Sequence, residues 1–512
     1  MLKLIRKHPL LTCLVIAIVL RLFAVVYSKG FMAHDDHFET VRVAYDGIQN
    51  GLLNDDNLMI WNTTRSEKIG RSPLYVLFLY SLMKAQESIG IYSLDSMMYF
   101  IRFVHFLLSL LLIFYGYKYV YTATGSKNYS MLAGLIMAGH FLMPYLAVRN
   151  LIELVSADLL LPAVFLAYRG VVKKDVRMLL ISGVLSGLSW MIRFNTGLAI
   201  LPIPFAIWFL SRNLRPALYY CFGILLIFIF SGSLDLLYLG SFGQSTVNIF
   251  NSFLHHVEHP LLPQPFWIYA VLVFGIFIPP FSFYFIVTAF RKKIWSGHLI
   301  LFSSILIFFV IHSLIASKQE RFMIPIFPLL VVIGTVGLHR WLESGKVSLL
   351  HKKIFRFSAI FAIVINLILL PVFIFNYAHK GMVEPFVSLS KQNDVNAVLI
   401  DRTERRRFMA YGYAGYNRPG FRLLDNWSEL DEIRKESSLY DSINYFIIYT
   451  DSDPGRHVDS LTTVFGPIKQ VFHSTPSTMD FVLHFLNPEH NHTNEAWIYK
   501  RTVKGISAGK EN

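Results

Sequence analysis

The chain has 512 residues, of which 54% are hydrophobic and only 16% are charged. A water-soluble domain carries roughly 25% charged residues, so this composition excludes a protein that is soluble over most of its surface. The net charge of +14 would suit a nucleic-acid-binding protein, but many of the lysines and arginines lie in short loops between apolar segments, where they set membrane topology. We therefore expect a lipid bilayer, and no nucleic acid, as a partner.

Apolar runs recur along the first three quarters of the chain, and most approach the roughly 20 residues that cross a hydrocarbon core. The first run is long, contains Arg21 and lacks an evident small-residue cleavage site, so we expect a retained helix rather than a signal peptide. The sequence predicts an all-α polytopic membrane protein with about eleven transmembrane helices. The runs cover residues 9–28, 97–121, 129–148, 151–172, 178–191, 198–211, 216–234, 266–290, 298–316, 322–341 and 355–377.

Basic clusters follow every second apolar run and are assigned to the cytoplasm by the positive-inside rule. The positions of the basic loops agree with eleven membrane crossings if segment 73–90 does not cross on its own. The N-terminus then lies inside and the C-terminus outside. The outer-face segments are then 29–96, 149–153, 193–196, 237–265, 317–321 and everything after about residue 378.

A polar string, His34-Asp35-Asp36-His37-Phe38-Glu39, follows the first apolar run. Ionisable groups at the edge of a bilayer are costly, so such a cluster needs a reason. The string is either the start of a solvated loop or a site at which a carboxylate takes a proton from an acceptor hydroxyl.

Charged residues that do not serve topology collect on the same outer face. Arginines there suit a lipid-linked phosphate, since guanidinium binds phosphate oxygens bidentately. A phosphate receptor beside a carboxylate base is what sugar transfer from a polyprenyl-phosphate donor requires, and direct displacement would invert the anomeric carbon. The chain has no Walker or dinucleotide loop, so a soluble nucleotide donor is disfavoured. The set comprises His34, Asp35, Asp36, Arg71, Arg149, Glu153, Arg193, Asp235, His255, His256, Lys318, Glu320 and Arg321.

Several stretches resemble, in order, the motifs of the family 22 mannosyltransferases of the GT-C superfamily, which use dolichyl-phosphate mannose. His34-Asp35-Asp36-His37 occupies the place of the family's HxDE motif, with His37 in place of the acid. The others are Arg71-Ser72-Pro73-Leu74-Tyr75 (RSxLYP), Arg149-Asn150-Leu151 with Glu153 (TRTxxNxxE), Trp190–Phe194 (liRpT), Asp235–Gly240 followed by Asn248, Phe250 and Asn251 (DxxfYG…NFxxfN), and Ser317–Phe322 with Pro325 and Pro328 (HKExRFxxPxxP).

The resemblance implies a GT-C fold and the following roles. Asp36 is the catalytic base with Asp35 as the alternative, His34 belongs to the same motif, and Glu39 or Asp35 is the second acid. Arg193, Lys318 and Arg321 are the first candidates for the donor phosphate, with Arg71, Arg149 and Glu320 as further substrate-binding residues. Asp235 and the 237–267 loop would shape the sugar and acceptor site through His255, His256, Gln264 and Trp267, the last by stacking on a pyranose.

Simpler interpretations stay open for some of these residues. Arg149 and Glu153 have the i, i+4 spacing of a helical ion pair, and interhelical pairing would also account for Arg193. His255 and His256 with Glu258 and His259 have no second ligand set, so we expect a histidine-rich loop, no metal and no cofactor.

The composition after Asn376 becomes that of a soluble domain. We expect a transmembrane catalytic domain over 1–377, an outer-face α/β domain over 378–502 and a disordered tail over 503–512. The strands of the α/β domain are predicted at Val398–Ile400, Tyr445–Tyr449 and Phe481–Phe485. They are interleaved with polar and helical stretches at 402–416 and 427–440. The domain either positions the acceptor, caps the active site or is purely structural.

The sequence thus favours a membrane glycosyltransferase that transfers mannose or a similar hexose to a lipid-linked or glycan acceptor. An aminoarabinose-like or galactose-like donor sugar is an alternative, because no motif encodes the sugar. A lipid or oligosaccharide transporter is the alternative from another class, but it should show repeated halves and polar groups near mid-membrane. Short loops favour a bacterial inner membrane with a periplasmic site. In the endoplasmic reticulum alternative, the sequons at Asn62 and Asn491 would face the lumen.

Overall fold

The computed structural model describes residues 7–52, 71–260, 263–404, 410–415, 419–450, 453–486 and 495–502. The chain forms two compact units. The first consists of Met1–Val26, Asp35–Leu82 and Ile101–Phe375, and the second of Tyr27–His34, Met83–Phe100 and Asn376–Asn512. The second unit therefore includes two short early segments besides the C-terminal region that the sequence sets apart. The predicted disordered tail and both sequons lie outside the described residues.

All eleven apolar runs form helices, because an α-helix satisfies every backbone polar group within its own segment. Among the described residues up to Phe375, three helical segments depart from α geometry, a π-helix at His37–Val41 and 3₁₀ turns at Phe194–Thr196 and Glu320–Ile326. The α-helices up to Phe375 are Pro9–Tyr27, His34–Asp36, Arg42–Asn50, Pro73–Glu87, Leu94–Thr124, Lys127–Gly139, Leu142–Leu146, Ile152–Lys173, Val176–Ile192, Gly197–Ile200, Pro202–Ser211, Leu214–Leu239, Gln244–Glu258, Ile268–Ile276, Phe281–Ala289, Lys292–Trp295, Leu299–Leu314, Phe327–Leu342 and Leu349–Ile374.

Seven helical segments in the described part of the chain are long and apolar enough to cross a membrane. An eighth is formed if Ile268–Ile276 and Phe281–Ala289, which meet at a bend of 115°, count as one broken span. The bend contains Pro279 and Pro280, which cannot donate backbone hydrogen bonds. Val176–Ile192 and Leu299–Leu314 are shorter apolar helices. The polytopic all-α architecture is confirmed, and the count of eleven crossings stays a prediction.

The spans differ in how much of their surface the rest of the protein covers. In the apolar part of Glu320–Leu342, 78% of the residues are buried inside the protein, whereas in that of Leu349–Ile374 only 17% are buried. Glycines let the inner helices approach closely, as is usual between membrane helices. A Cβ atom on Gly334 would lie 2.5 Å from the ring of Phe285, and one on Gly183 would lie 2.0 Å from the carbonyl oxygen of Tyr220.

The second unit contains a five-stranded mixed sheet. Its strands are β1 (Ala397–Asp401), β2 (Gly420–Leu424), β3 (Ile443–Tyr449), β4 (Ile468–Ser474) and β5 (Ala496–Arg501), in the order β2-β1-β3-β5-β4. Strands β2, β1 and β3 are parallel, and β5 runs antiparallel to both β3 and β4. All five residues of β1 are buried, as expected of an inner strand of a parallel sheet. The predicted α/β domain is confirmed.

Two of the three predicted strands, β1 and β3, are correct, and the third is wrong. Phe481–Phe485 lies within helix Thr478–Leu486. Its N-terminus has a capping box, in which Ser477 Oγ accepts from the Asp480 backbone N–H at 3.1 Å and donates to Asp480 Oδ2 at 2.8 Å. Strands β2, β4 and β5 were not predicted.

The remaining helices of the second unit match the expectation for 427–440, where Glu429–Lys435 and Ser437–Ser442 are helical. Stretch 402–416 was expected to be helical, but its described part contains only the 3₁₀ turn Tyr411–Ala414. The other helices are Lys380–Leu389 and Gly455–Phe465.

We predict that Gly183→Ala destabilises the first unit, because the added methyl group would meet the backbone of Tyr220, which cannot rotate away. Overpacking of this kind costs about 1–3 kcal/mol, and the midpoint of thermal unfolding in detergent should fall. Gly275→Ala is the matched control, since a Cβ atom there meets nothing within 4 Å. Equal midpoints for the two variants would contradict the close packing at Gly183.

Candidate active site

Residues 35–39 of the acidic string lie in a helical turn of the first unit. Asp35 and Asp36 end a short helix that continues directly into the π-helix His37–Val41. The side chain of Asp36 is completely buried, whereas that of Asp35 is 37% exposed. Two neighbouring carboxyl groups therefore have different environments, and only Asp35 is open to solvent.

Arg71 contacts three carboxyl groups of this turn at once. Its guanidinium lies 3.0 Å from Asp35 Oδ2, 3.0 Å from Asp36 Oδ1 and 2.6 Å from Glu39 Oε2. It stands two residues before helix Pro73–Glu87. Glu39, which the sequence analysis proposes as a second acid, therefore shares Arg71 with Asp35 and Asp36.

Arg321 approaches the same acids from a distant segment. Its guanidinium lies 2.7 Å from Asp35 Oδ2 and 3.7 Å from both Asp36 Oδ2 and Glu153 Oε1. The 3₁₀ turn Glu320–Ile326, which leads into helix Phe327–Leu342, directs this side chain at the acids. Asp35 is thus held between Arg71 and Arg321.

Arg193 completes the cluster through Glu153. Arg193 follows helix Val176–Ile192, and its guanidinium lies 3.1 Å from Glu153 Oε1, in the first turn of helix Ile152–Lys173. Its guanidinium also lies over the ring of Phe322, 5.1 Å from the centroid. The interhelical pairing considered for Arg193 is therefore observed, and it joins Arg193 to the other charges.

The seven side chains form a network that we call the carboxylate–guanidinium cluster. It has four carboxyl groups and three guanidinium groups, so a buried site of this composition favours keeping one proton. Its members are Asp35, Asp36, Glu39, Arg71, Glu153, Arg193 and Arg321.

The pKa values of the two aspartates are driven apart by their environments. Burial, with the negative charge of Glu153, raises the pKa of Asp36 to about 8 against the opposing effect of Arg71. Burial would also raise the pKa of Asp35, but the hydrogen bond from Arg321 and the charges of Arg71 and Arg321 hold it well below its usual range. Asp36 therefore binds its proton more tightly than Asp35.

Two residues proposed from sequence, Lys318 and Asp235, have their direct contacts outside this cluster. Lys318 Nζ donates to the backbone carbonyls of Ile315 and, at 3.0 Å, Gln264. Asp235 Oδ2 accepts from the backbone N–H and the hydroxyl of Ser245 at 3.0 and 2.7 Å.

Aromatic packing accounts for two more of the predicted residues. The guanidinium of Arg149 lies over the ring of Tyr145, 4.4 Å from its centroid. His34 belongs to the second unit, where its ring lies 5.2 Å from Phe31 and 5.3 Å from His379.

Trp267 and Glu320 lie on accessible surface. Trp267 is 49% exposed and immediately precedes helix Ile268–Ile276. Glu320 is exposed and borders a small apolar cleft whose lining includes Leu154, Met323 and Phe327. Because Leu154 and Glu320 are the chain neighbours of Glu153 and Arg321, this cleft adjoins the charged cluster.

The predicted histidine-rich segment lies on helix Gln244–Glu258. His255 packs against His259 with ring centroids 5.0 Å apart, and the side chain of His256 lies outside the described residues. Over the described ranges, no group of three or more His, Cys, Asp or Glu side chains has an arrangement that would hold a metal ion.

Sequence reasoning missed the uncharged partners of the acidic turn. Asn150 Nδ2 donates to the backbone carbonyl of Asp36 at 3.2 Å and to Thr40 Oγ1 at 3.0 Å, and the Ile152 N–H donates to Asp36 Oδ2 at 3.3 Å. Asn150 lies within a quoted motif, but nothing in that spacing shows that its amide faces Asp36.

The sequence model of the Alg9-like mannosyltransferase family matches residues 12–407, which include every member of the cluster. The chain belongs to the Alg9-like mannosyltransferase family. This confirms the resemblance drawn from the motifs and supports a membrane glycosyltransferase, rather than the transporter alternative. No curated protein matches the chain in the sequence comparison.

Solved structures confirm the GT-C fold expected of this family. The crystal structure of ArnT from Cupriavidus metallidurans bound to undecaprenyl phosphate is similar with a TM-score of 0.57 and 12% identity, covering 96% of this chain and 98% of that one. The apo structure of the same protein gives a TM-score of 0.56 and 13% identity, covering 96% and 97%. At this identity the likeness shows the fold alone.

The raised pKa of Asp36 predicts a pH dependence of stability. A carboxyl group whose folded pKa lies above its unfolded value stabilises the fold fully at low pH, and that contribution is lost as the pH rises towards about 8. We therefore expect the thermal midpoint of Asp36→Asn to fall less than that of the wild type between pH 5 and pH 8.

Asp459→Asn, at an exposed position of the second unit, is the matched control for this measurement. Because Asp459 lies outside the carboxylate–guanidinium cluster, this variant should keep the wild-type slope between pH 5 and pH 8. An Asp36→Asn slope equal to that of the wild type would show that Asp36 is ionised throughout this range.

Proposed function

We propose that this membrane glycosyltransferase transfers mannose or a similar hexose from a polyprenyl-phosphate donor to a lipid-linked or glycan acceptor, with inversion at the anomeric carbon. The observation that carries the proposal is the double contact of Asp35 with Arg71 and Arg321. It brings a solvent-open carboxylate and two guanidinium groups to one point, which are the base and the phosphate receptor that such a transfer needs.

The arginines are proposed to bind the donor phosphate. In the present structure the guanidinium groups of Arg71, Arg193 and Arg321 contact carboxylates, and a phosphate offers oxygens of the same charge and geometry. The phosphate would replace some of these contacts and then leave as a polyprenyl phosphate stabilised by the same cations. Lys318 and Arg149 are further candidates, although each has the local contacts described above.

The apolar cleft beside Arg321 supports a lipid-linked donor. The cleft is lined by hydrophobic side chains apart from Glu320, so it suits the first isoprene units of a polyprenyl chain whose phosphate lies at the cluster. Undecaprenyl phosphate bound to ArnT, a protein of the same fold, supports this class of donor. Glu320, Asp235 and Trp267 would then contact the sugar or acceptor at the rim.

The chemical step is a single displacement. The acceptor hydroxyl oxygen forms a bond to the anomeric carbon, the bond from that carbon to the phosphate oxygen breaks, and the hydroxyl proton passes to a carboxylate. The sequence ranks Asp36 first for this role. The geometry favours Asp35, because its side chain is exposed while that of Asp36 is buried. Asp36 would then orient Arg71, and His34 would have a supporting role.

The proposed setting is a membrane whose non-cytoplasmic face carries the site, since the basic loops mark the opposite face. Short loops favour a bacterial inner membrane, with the endoplasmic reticulum as the alternative.

The test is transfer from radiolabelled polyprenyl-phosphate sugars by membranes containing equal amounts of folded wild type, Asp35→Asn or Asp36→Asn. Native lipid extract serves as acceptor, and donors carrying mannose, galactose and aminoarabinose are compared. We expect the wild type to prefer mannose and Asp35→Asn to lose about 10²- to 10⁴-fold in rate, the usual contribution of a general base. The configuration of the new bond, read by NMR, should be opposite to that in the donor.

The control is Asp459→Asn, at an exposed position of the second unit, which should transfer at the wild-type rate. A large loss in Asp36→Asn with a small one in Asp35→Asn would assign the base to Asp36. Full activity in both variants would show that neither Asp35 nor Asp36 is the base. A product of retained configuration would contradict direct displacement.

A further inference from the structure

Segment 150–152 contacts both the backbone and the side chain of Asp36. The side-chain amide of Asn150 donates to the Asp36 backbone carbonyl at 3.2 Å, and the backbone N–H of Ile152 donates to Asp36 Oδ2 at 3.3 Å. Contacts to both the backbone and the carboxyl group fix the position and the rotation of this residue. The acidic turn is therefore anchored to the start of helix Ile152–Lys173 as well as to the arginines.

The turn itself needs such an anchor. It continues into the π-helix His37–Val41, a rare geometry that occurs mostly as single turns at functional sites. The Asp36 carbonyl, at the start of that turn, accepts from the Thr40 hydroxyl as well as from Asn150, and Asn150 also donates to Thr40 Oγ1 at 3.0 Å. Two side chains thus hold the carbonyl at the point where the helix changes its pitch.

The Asn150 amide is held in turn by a buried hydrogen-bond chain. Tyr75 Oη donates to Asn150 Oδ1 at 2.6 Å and lies 2.7 Å from His105 Nε2. His105 Nδ1 lies 2.7 Å from the carbonyl oxygen of Ile101 in the long helix Leu94–Thr124. His105 is 2% and Tyr75 3% exposed. The chain therefore reaches from the helical bundle to the acidic turn without passing through an arginine.

We propose that Asn150 and Tyr75 are positioning residues for the Asp35–Asp36 pair, a role that rests on the proposed transfer reaction. In the described structure neither side chain hydrogen-bonds to a guanidinium group, so we expect their effect on the reaction to pass through the backbone of the turn. A base must lie within hydrogen-bond reach of the acceptor hydroxyl, and a displacement of about 1 Å can cost about 100-fold in rate.

The test compares kcat with the KM for the donor in Asn150→Ala, Tyr75→Phe and Thr40→Val, all in the full-length chain and at equal amounts of folded protein. We expect kcat to fall about 10- to 100-fold while the donor KM stays within about twofold, because the phosphate-binding arginines are untouched. Thr40→Ser, which retains the hydroxyl group, should recover most of the activity lost in Thr40→Val.

Two matched controls remove similar buried hydrogen bonds elsewhere in the same unit. Tyr220→Phe removes a hydroxyl that donates to Ser186 Oγ at 2.8 Å, and Asn366→Ala removes an amide that donates to the Gly139 carbonyl at 2.8 Å. Both should reduce thermal stability and leave kcat close to that of the wild type. A purely structural role for Asn150 and Tyr75 would give the same pattern in their variants.

The possible outcomes separate this proposal from the proposed function. Transfer by the wild type together with unchanged kcat in Tyr75→Phe and in Thr40→Val would overturn the positioning role and leave the transfer reaction standing. Equal rises in the donor KM and unchanged kcat would also overturn it. No transfer by the wild type from any donor would overturn the proposed function, and the positioning role with it.

Discussion

The pairing of Asp35 with Arg71 and Arg321 is the interaction on which the site depends. Asp35 and Arg321 are 286 residues apart in sequence, and their side chains meet at 2.7 Å. The two arginines balance the negative charge of the acidic turn, and they also hold Asp35 in its ionised form. A single set of contacts therefore fixes the local structure, sets the protonation of the proposed base and presents the groups that would receive a phosphate.

The cluster also makes the site costly to alter. Removing one partner of a buried ion pair typically costs about 3–5 kcal/mol, because the other charge is left uncompensated. Arg71 and Arg321 each contact three carboxylates, so truncation of either disturbs several pairs at once. Uncharged replacements of the same shape, such as Asn for Asp, separate the chemistry of a carboxylate from its part in the fold.

The sequence predicts the elements of this site better than their contacts. The positive-inside rule and the motif order placed Asp35, Asp36, Arg71, Arg193 and Arg321 on one face, and the structure brings all five together. Lys318 was expected beside Arg321, but the extended backbone before the 3₁₀ turn directs it to carbonyls of Ile315 and Gln264. No spacing rule could show that Asn150 faces Asp36, because that contact depends on tertiary packing.

The C-terminal unit illustrates a different limit. β1 and β3 were readable because fully buried parallel strands are continuous apolar runs. Phe481–Phe485 has the same apolar character, but it lies in a helix whose N-terminus is capped by Ser477 and Asp480. Local capping therefore outweighed composition.

A structure of the wild-type chain in lipid nanodiscs with undecaprenyl phosphate tests the proposed donor site most directly. We expect phosphate density within hydrogen-bond distance of Arg71 and Arg321, the isoprene chain in the cleft beside Glu320, and Asp35 released from at least one guanidinium group. A phosphate bound elsewhere, with both contacts of Asp35 intact, would contradict the proposed donor site.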